Sequence, residues 1–133
     1  MRIAPGLPRM KFLLLVYIDP ELLDAVPAGE YDTEMRHCIR SADALASQGT
    51  LLGSNKLEAP DQARTVRVRE GRTGVFDGPF AETKEVLAGY NLIEAASLED
   101  AVALAAQFPW ARYGSMEVRP VADMDAERVR VGA

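Results

Sequence analysis

The chain is short of the residues on which most enzymatic and metal chemistry depends. Cys38 is the single cysteine and His37 the single histidine in 133 residues, which excludes a disulfide within the chain, a thiolate metal cluster built from one chain, and HExxH or any other His-rich site. No metal and no cofactor is expected. Positive charge is also scarce: 15 Lys and Arg stand against 20 Asp and Glu, a net charge of −5. Such a molecule does not gather the phosphates of DNA or RNA, nor an anionic membrane surface, through its overall field. Long apolar runs are missing as well. The longest, Phe12 to Ile18, falls far below the roughly 20 residues that cross a bilayer, and no convincing cleavable signal is present. A cytoplasmic protein without nucleic-acid or membrane partners is the expectation. GxGxxG, the phosphate loop GxxxxGKS/T and GxSxG are all absent, which removes the usual dinucleotide, nucleotide and hydrolase signatures.

What the chain does contain is periodicity. KFLLLVYID (11–19) is short and rich in β-compatible residues and reads as a strand, with Phe12, Leu14, Val16 and Ile18 on one face and Leu13, Leu15 and Tyr17 on the other. Both faces are apolar, as in strands lying between two layers. After a loop with Pro20 and Pro27, a helix capped at Asp32 or Thr33 runs to about Gln48 and stops at Gly49, with a stripe of Met35, Cys38, Ile39, Ala42, Leu45 and Ala46. His37 falls off that stripe and is expected in solvent. Leu51 and Leu52 open a further strand, and TVRVR (65–69) turns at Glu70-Gly71 and returns through Val75 and Phe76 as a hairpin. VLAGYNLIEA (86–95) is again apolar on both faces. A helix capped by Ser97 follows, with Leu98, Ala101, Ala105 and Phe108 as its buried face and Pro109 closing it. YGSMEVRPV (113–121) is the last strand. Residues 1–9 read as a loose arm, 10–122 as one domain, and 123–133 as a polar, frayed tail.

This order predicts an α+β fold, a ferredoxin-like βαββαβ chain with an inserted hairpin and two helices on one face of an antiparallel sheet. Two helices cover one face only, whereas two strands are apolar on both. The second face therefore calls for an apolar partner, and a second copy of the same sheet is the economical one, since a two-fold pairing buries the patch at about 25 cal/mol per Å².

The segment DGPFAETKE (77–85) places a turn, an aromatic and four charged residues between two strands. Asp77-Gly78-Pro79 is a turn on any reading. Two roles remain open for it: a plain structural turn, or the wall of a cleft in which Asp77, Glu82 and Lys84 tune one another's pKa for proton transfer and Phe80 supplies an apolar side. Among the other candidates, Arg119 beside Glu117 reads as an ion pair, Tyr17 and Tyr90 as core residues with satisfied hydroxyls, Trp110 as a plug at a helix–sheet edge, and Cys38 as a small hydrophobe rather than a nucleophile.

The blocks MKFLLLVY, TVRVREGRTGVFDGPFAETKE, LAGYNLIEA and ARYGSMEVRPV together resemble the YCII-related proteins of the DGPF type over residues 10 to 121. The resemblance implies subunits that pair into a dimeric α+β barrel, a cleft in each subunit, and Asp77, Gly78, Pro79, Phe80, Glu82 and Lys84 as its functional lining. More distant relatives use a His and an Asp as a catalytic pair, which makes His37 with Asp77 the candidate catalytic residues, against the alternative of a solvent-facing His37. Three functions follow. The first is a homodimer binding a small metabolite, with cofactor-independent acid/base activity of the isomerase or lyase kind in which Asp77 carries the proton. The alternative is a non-enzymatic ligand-binding or regulatory module, a context the resemblance links to sigma-factor-dependent transcription. A heme- or flavin-using oxygenase is disfavoured, because one exposed histidine is a poor heme ligand and fold does not specify function.

Overall fold

A computed structural model describes residues 9–133; the part of the expected N-terminal arm in residues 1–8 lies outside the described residues. The chain is α+β. β1 (Met10–Ile18), β2 (Leu51–Lys56), β5 (Val86–Ala95) and β6 (Gly114–Pro120) form a four-stranded antiparallel sheet in the order β2-β5-β1-β6, while β3 (Arg64–Arg69) and β4 (Arg72–Asp77) form a separate two-stranded sheet. With that hairpin set aside, the order is consistent with a ferredoxin-like βαββαβ chain, as the alternation of strands and helices predicts. Among the described residues four α-helices accompany the strands: α1 (Pro20–Asp24), α2 (Glu30–Ser47), α3 (Leu98–Ala105) and α4 (Met124–Val131).

The central strands behave as their period-2 pattern requires. Phe12, Leu14, Val16 and Ile18 are buried beneath the helices, and Leu13, Leu15 and Tyr17 on the opposite face are only half-buried. Ile93 and Ala95 continue the core along β5, joined by Ala101, Leu104 and Ala105 of α3 and by Phe108 and Trp110 beyond it. Gly114 is where β6 meets β1 most closely: a Cβ there would stand 1.9 Å from the Tyr17 carbonyl oxygen, so no other residue fits without moving backbone. At the hairpin tip, Glu70 (φ 53°) and Gly71 (φ 75°) both take the left-handed conformation, the geometry of a two-residue turn matched to strand twist.

Several elements depart from the sequence expectation. α2 begins at Glu30, capped by Gly29 rather than by Asp32 or Thr33, which lie inside the first turns. Its stripe is narrower than expected, for Ile39 is 53% exposed and Ala46 is exposed, leaving Met35, Cys38, Ala42 and Leu45 against the core. On α3 Ala101, Ala105 and the following Phe108 are buried as expected and Leu104 joins them, but Leu98 in the first turn is 43% exposed. α1 forms within the expected loop because the Asp19 carboxylate accepts a hydrogen bond from the Glu21 amide and Pro20 occupies the first helical position, where it gives up no hydrogen bond. Beyond Asp123, where the polar composition predicts a frayed tail, α4 forms with every residue exposed. Asp123 accepts from the amides of Asp125 and Ala126, acidic residues fill the first turn, Arg128 and Arg130 the last, and Gly132 ends the helix at φ 74°. These are local signals, and they specify a helix without any core-facing stripe.

Candidate functional site

A recess lies between α2 and the sheet. It measures about 550 Å³, within the range that holds a drug-sized small molecule. Val16, Ile18, Val86 and Ala88 supply its floor, and Tyr31, Met35, Cys38, Ile39 and Ala42 of α2 its roof. Trp110 lines it as well, and Leu23 of α1, Lys56 at the end of β2 and residues 57–60 beyond it add to the wall.

The recess exists because α2 stands away from the sheet. None of its eighteen residues is fully buried. Its N-terminal half is held at that height by aromatic packing, with the Tyr31 and Trp110 rings 5.8 Å apart and Trp110 in turn 6.4 Å from Tyr113. The Arg112 guanidinium donates to Glu34 across 2.7 Å and fixes the same end from outside. Below this end the roof residues Met35, Cys38 and Ala42 pack against the core while staying half-buried, and the recess opens beside them. The sheet widens the same region through an irregularity in β5, where Val16 pairs with Gly89 and Tyr17 with Leu87, leaving Ala88 as an extra residue at the recess.

Polar groups in the recess are few. Asn91 of β5 is 6% exposed, opposite Leu14 on one side and Ser54 on the other. The Ser54 hydroxyl donates to Asn91 Oδ1 at 2.6 Å. Asn55 donates through Nδ2 to the Tyr90 hydroxyl at 2.9 Å, so that hydroxyl is satisfied, as expected of it. The ionisable side chains on the wall, Asp24, Lys56 and Glu58, are exposed. Cys38 is the exception: burial pushes its thiol pKa up, with a smaller opposing effect from a hydrogen bond with Trp110. A thiol held in its neutral form fits the reading of Cys38 as a small hydrophobe.

The residues singled out from sequence lie elsewhere. Asp77 ends β4 and pairs with Arg64 Nε at 3.1 Å, its side chain 89% exposed. Gly78 (φ 87°) donates its amide to the Ala63 carbonyl, and its own carbonyl accepts from Thr65, so the turn is tied to the start of β3. Gly78 is half-buried, while Pro79, Phe80 (80% exposed) and Glu82 are exposed. None of Asp77, Gly78, Pro79, Phe80, Glu82 and Lys84 lines the recess of this chain. Lys84 nonetheless reaches its border, because its ammonium lies 3.6 Å from the carboxylate of Asp19, which is buried between the wall residues Ile18 and Pro20. His37 is exposed on α2, as its helical phase predicts, and lines a smaller groove with Gln107 and Phe108. The chain thus brings neither His37 and Asp77 to the recess nor Asp77 and Lys84 to one partner. Arg119 pairs with Glu117, two residues along the same strand face, as expected of it. Among the described residues no three of His, Cys, Asp and Glu come together in a way that would hold a metal ion, and no helix is long and apolar enough to cross a membrane.

Residues 10–125 match the YCII-related domain. The chain belongs to the YCII-related family. An uncharacterised protein of Rhizobium meliloti is 37% identical over 115 residues, a stretch that spans 85% of this chain and 93% of the relative. The matched YCII-related region takes in every strand and all of the recess, and it ends at the first turn of α4. Asn91 carried one legible signal for the site: it is the polar residue on the buried phase of a strand otherwise built from Gly89, Ile93 and Ala95.

Proposed function

We propose that this YCII-related protein is a homodimer that binds a small, largely apolar metabolite in the recess between α2 and the sheet. The observation carrying the reading is the recess itself, an apolar space of about 550 Å³ with the buried carboxamide of Asn91 in its lining. Apolar walls supply affinity through desolvation, and a few fixed polar groups supply orientation. The DGPF segment takes part through Lys84, which holds the Asp19 cap of α1 at the border, whereas Asp77 serves the hairpin turn by pairing with Arg64.

Binding is favoured over isomerase- or lyase-like turnover for a chemical reason. Proton transfer needs a positioned acid or base within hydrogen-bond reach of the substrate. The carboxylates on the wall are solvated, Cys38 is held neutral, and His37 and Asp77 are outside. A thermal-shift screen of small metabolites tests this. Compounds that raise Tm are expected to be recovered chemically unchanged, and to lose their effect in Ala42→Phe, whose ring fills the space beneath α2. Turnover that is abolished by Asp77→Asn in a folded protein would overturn the reading.

The dimer is supported by the sheet face turned away from α2 and α3. Leu13, Leu15, Tyr17 and Leu92 are half-buried there and Leu87 is 40% exposed, apolar surface of a kind that monomers seldom leave in water. Two such faces meeting about a two-fold axis give the dimeric α+β barrel that the sequence suggests. Sedimentation equilibrium is expected to return twice the chain mass, and Leu15→Glu to return one. A wild-type chain sedimenting alone at micromolar concentration would remove this part of the proposal.

A further inference from the structure

Resting on that reading of the recess, we infer that its ligand carries a neutral carbonyl oxygen, which the Asn91 carboxamide receives through Nδ2. Asn91 is 94% buried by residue, since only 6% of its surface is exposed, and it lines the recess. Its oxygen is already engaged by the Ser54 hydroxyl at 2.6 Å. That separation decides which end of the amide faces Ser54, because it matches an O–H···O contact and is short for any hydrogen bond involving nitrogen. The group left over is therefore the NH₂, a pure donor. Among the described residues it makes no hydrogen bond, yet no side-chain nitrogen or oxygen sealed from solvent goes without one. The nitrogen consequently opens into the recess.

A donor fixed in an apolar wall selects an acceptor, because a ligand that displaced water there and offered nothing would leave the amide unpaired. Which acceptor follows from charge. The cation lining the recess is Lys56, exposed at the end of β2, so a carboxylate at Asn91 would be desolvated with no buried counter-charge. A ketone, aldehyde, ester or amide carbonyl carries no such penalty. Ser54 acts as a positioning residue: its hydroxyl holds the carboxamide in the orientation that presents nitrogen.

The test compares three compounds of one skeleton, benzophenone, diphenylmethane and diphenylacetate, by calorimetric titration against the full chain. Benzophenone is expected to bind roughly five- to tenfold more tightly than diphenylmethane, the size of one net hydrogen bond, and diphenylacetate more weakly than both. In Asn91→Leu the two neutral compounds should bind alike. Ser54→Ala should narrow the gap between them. In ¹H–¹⁵N spectra of the wild type the Asn91 side-chain NH₂ resonances should move with benzophenone and stay put with diphenylmethane, a readout that stands even if Asn91→Leu does not fold. Equal binding of benzophenone and diphenylmethane, or tighter binding of diphenylacetate, overturns the carbonyl inference and leaves the recess as a binding site. If none of the three binds, the recess reading itself falls.

Discussion

The helices α2 and α3 lie over the same face of one sheet and are packed to different depths. α3 has eight residues and buries Ala101, Leu104 and Ala105 to 3% exposure or less; α2 has eighteen and buries none fully. Both carry an apolar face, so amphipathicity alone does not separate them. What separates them is how each is held. α3 is drawn down by its own side chains, whereas α2 is propped at one end by the Tyr31–Trp110 contact and the Glu34–Arg112 pair and roofs its middle with Cys38 and Ala42. One helix closes the core and the other leaves room for something else.

The contrast is broken most directly by deleting matched side chains. Leu104→Ala, at 3% exposure, should cost about 2–5 kcal/mol because the α3 side cannot relax into the space. Met35→Ala on the half-buried roof of α2 should cost about 1 kcal/mol, since that side chain already borders the recess. Urea unfolding of both variants measures the difference. Equal losses would mean that α2 is packed as tightly as α3, and the account of the recess would go with them.

Adding atoms should reverse the asymmetry in kind. Ala101 is fully buried, and Ala101→Leu overpacks the α3 interface at a cost of about 1–3 kcal/mol. Ala42→Leu projects into the recess and should leave stability within about 0.5 kcal/mol of wild type, while weakening any ligand that raises Tm. A large loss from Ala42→Leu would show that the roof has no spare room.

How much of this was legible from sequence varies with the kind of signal. β1 and β5 were readable because alternation and β-branched content act locally, and Ser97 announced α3 because it accepts a hydrogen bond from the Asp100 amide, a spacing visible in the chain. α4 was not, because no apolar stripe marks it and its capping and charges act through the helix ends. The recess was illegible for a deeper reason. It is the difference between the height of a helix and the volume of the side chains beneath it, and no run of residues encodes such a difference. DGPFAETKE is conspicuous in the sequence through its turn chemistry, and in the structure its glycine and aspartate tie the hairpin to itself. Asn91 was the residue that deserved suspicion, a polar group in phase with Ile93 and Ala95.

The border between the two regions offers a finer test. The Asp19 carboxylate caps α1 by accepting from the Glu21 amide at 3.0 Å, and Lys84 meets the same carboxylate at 3.6 Å. Asp19→Ala should cost about 0.5–2 kcal/mol through loss of the cap, and Lys84→Ala, which removes an exposed cation, should cost no more than about 0.5 kcal/mol. If α1 serves as part of the recess wall, Asp19→Ala should also weaken ligand-induced stabilisation beyond its effect on the unliganded protein.

The smallest expected effect is the most local report on how α2 sits. Burial raises the Cys38 thiol pKa above the ordinary thiol value of 9.0, outweighing the hydrogen bond with Trp110 that lowers it. A group whose pKa is raised on folding contributes stability that is fully present below the unfolded pKa and is lost as pH climbs through the folded one. Stability should therefore fall more steeply with pH above about 9 in the wild type than in Cys38→Ala, and the difference between the two chains removes the parallel titration of tyrosines and lysines. Because the thiolate is the reactive form, iodoacetamide at pH 8.5 should modify Cys38 several-fold more slowly than a free thiol in an unfolded peptide, yet faster than global unfolding allows, since the side chain is half-buried on the wall of an open recess. A ligand seated beneath α2 should slow the reaction further. Protection that lifts only when the whole chain unfolds would place Cys38 in a closed core, and α2 would then be a second α3.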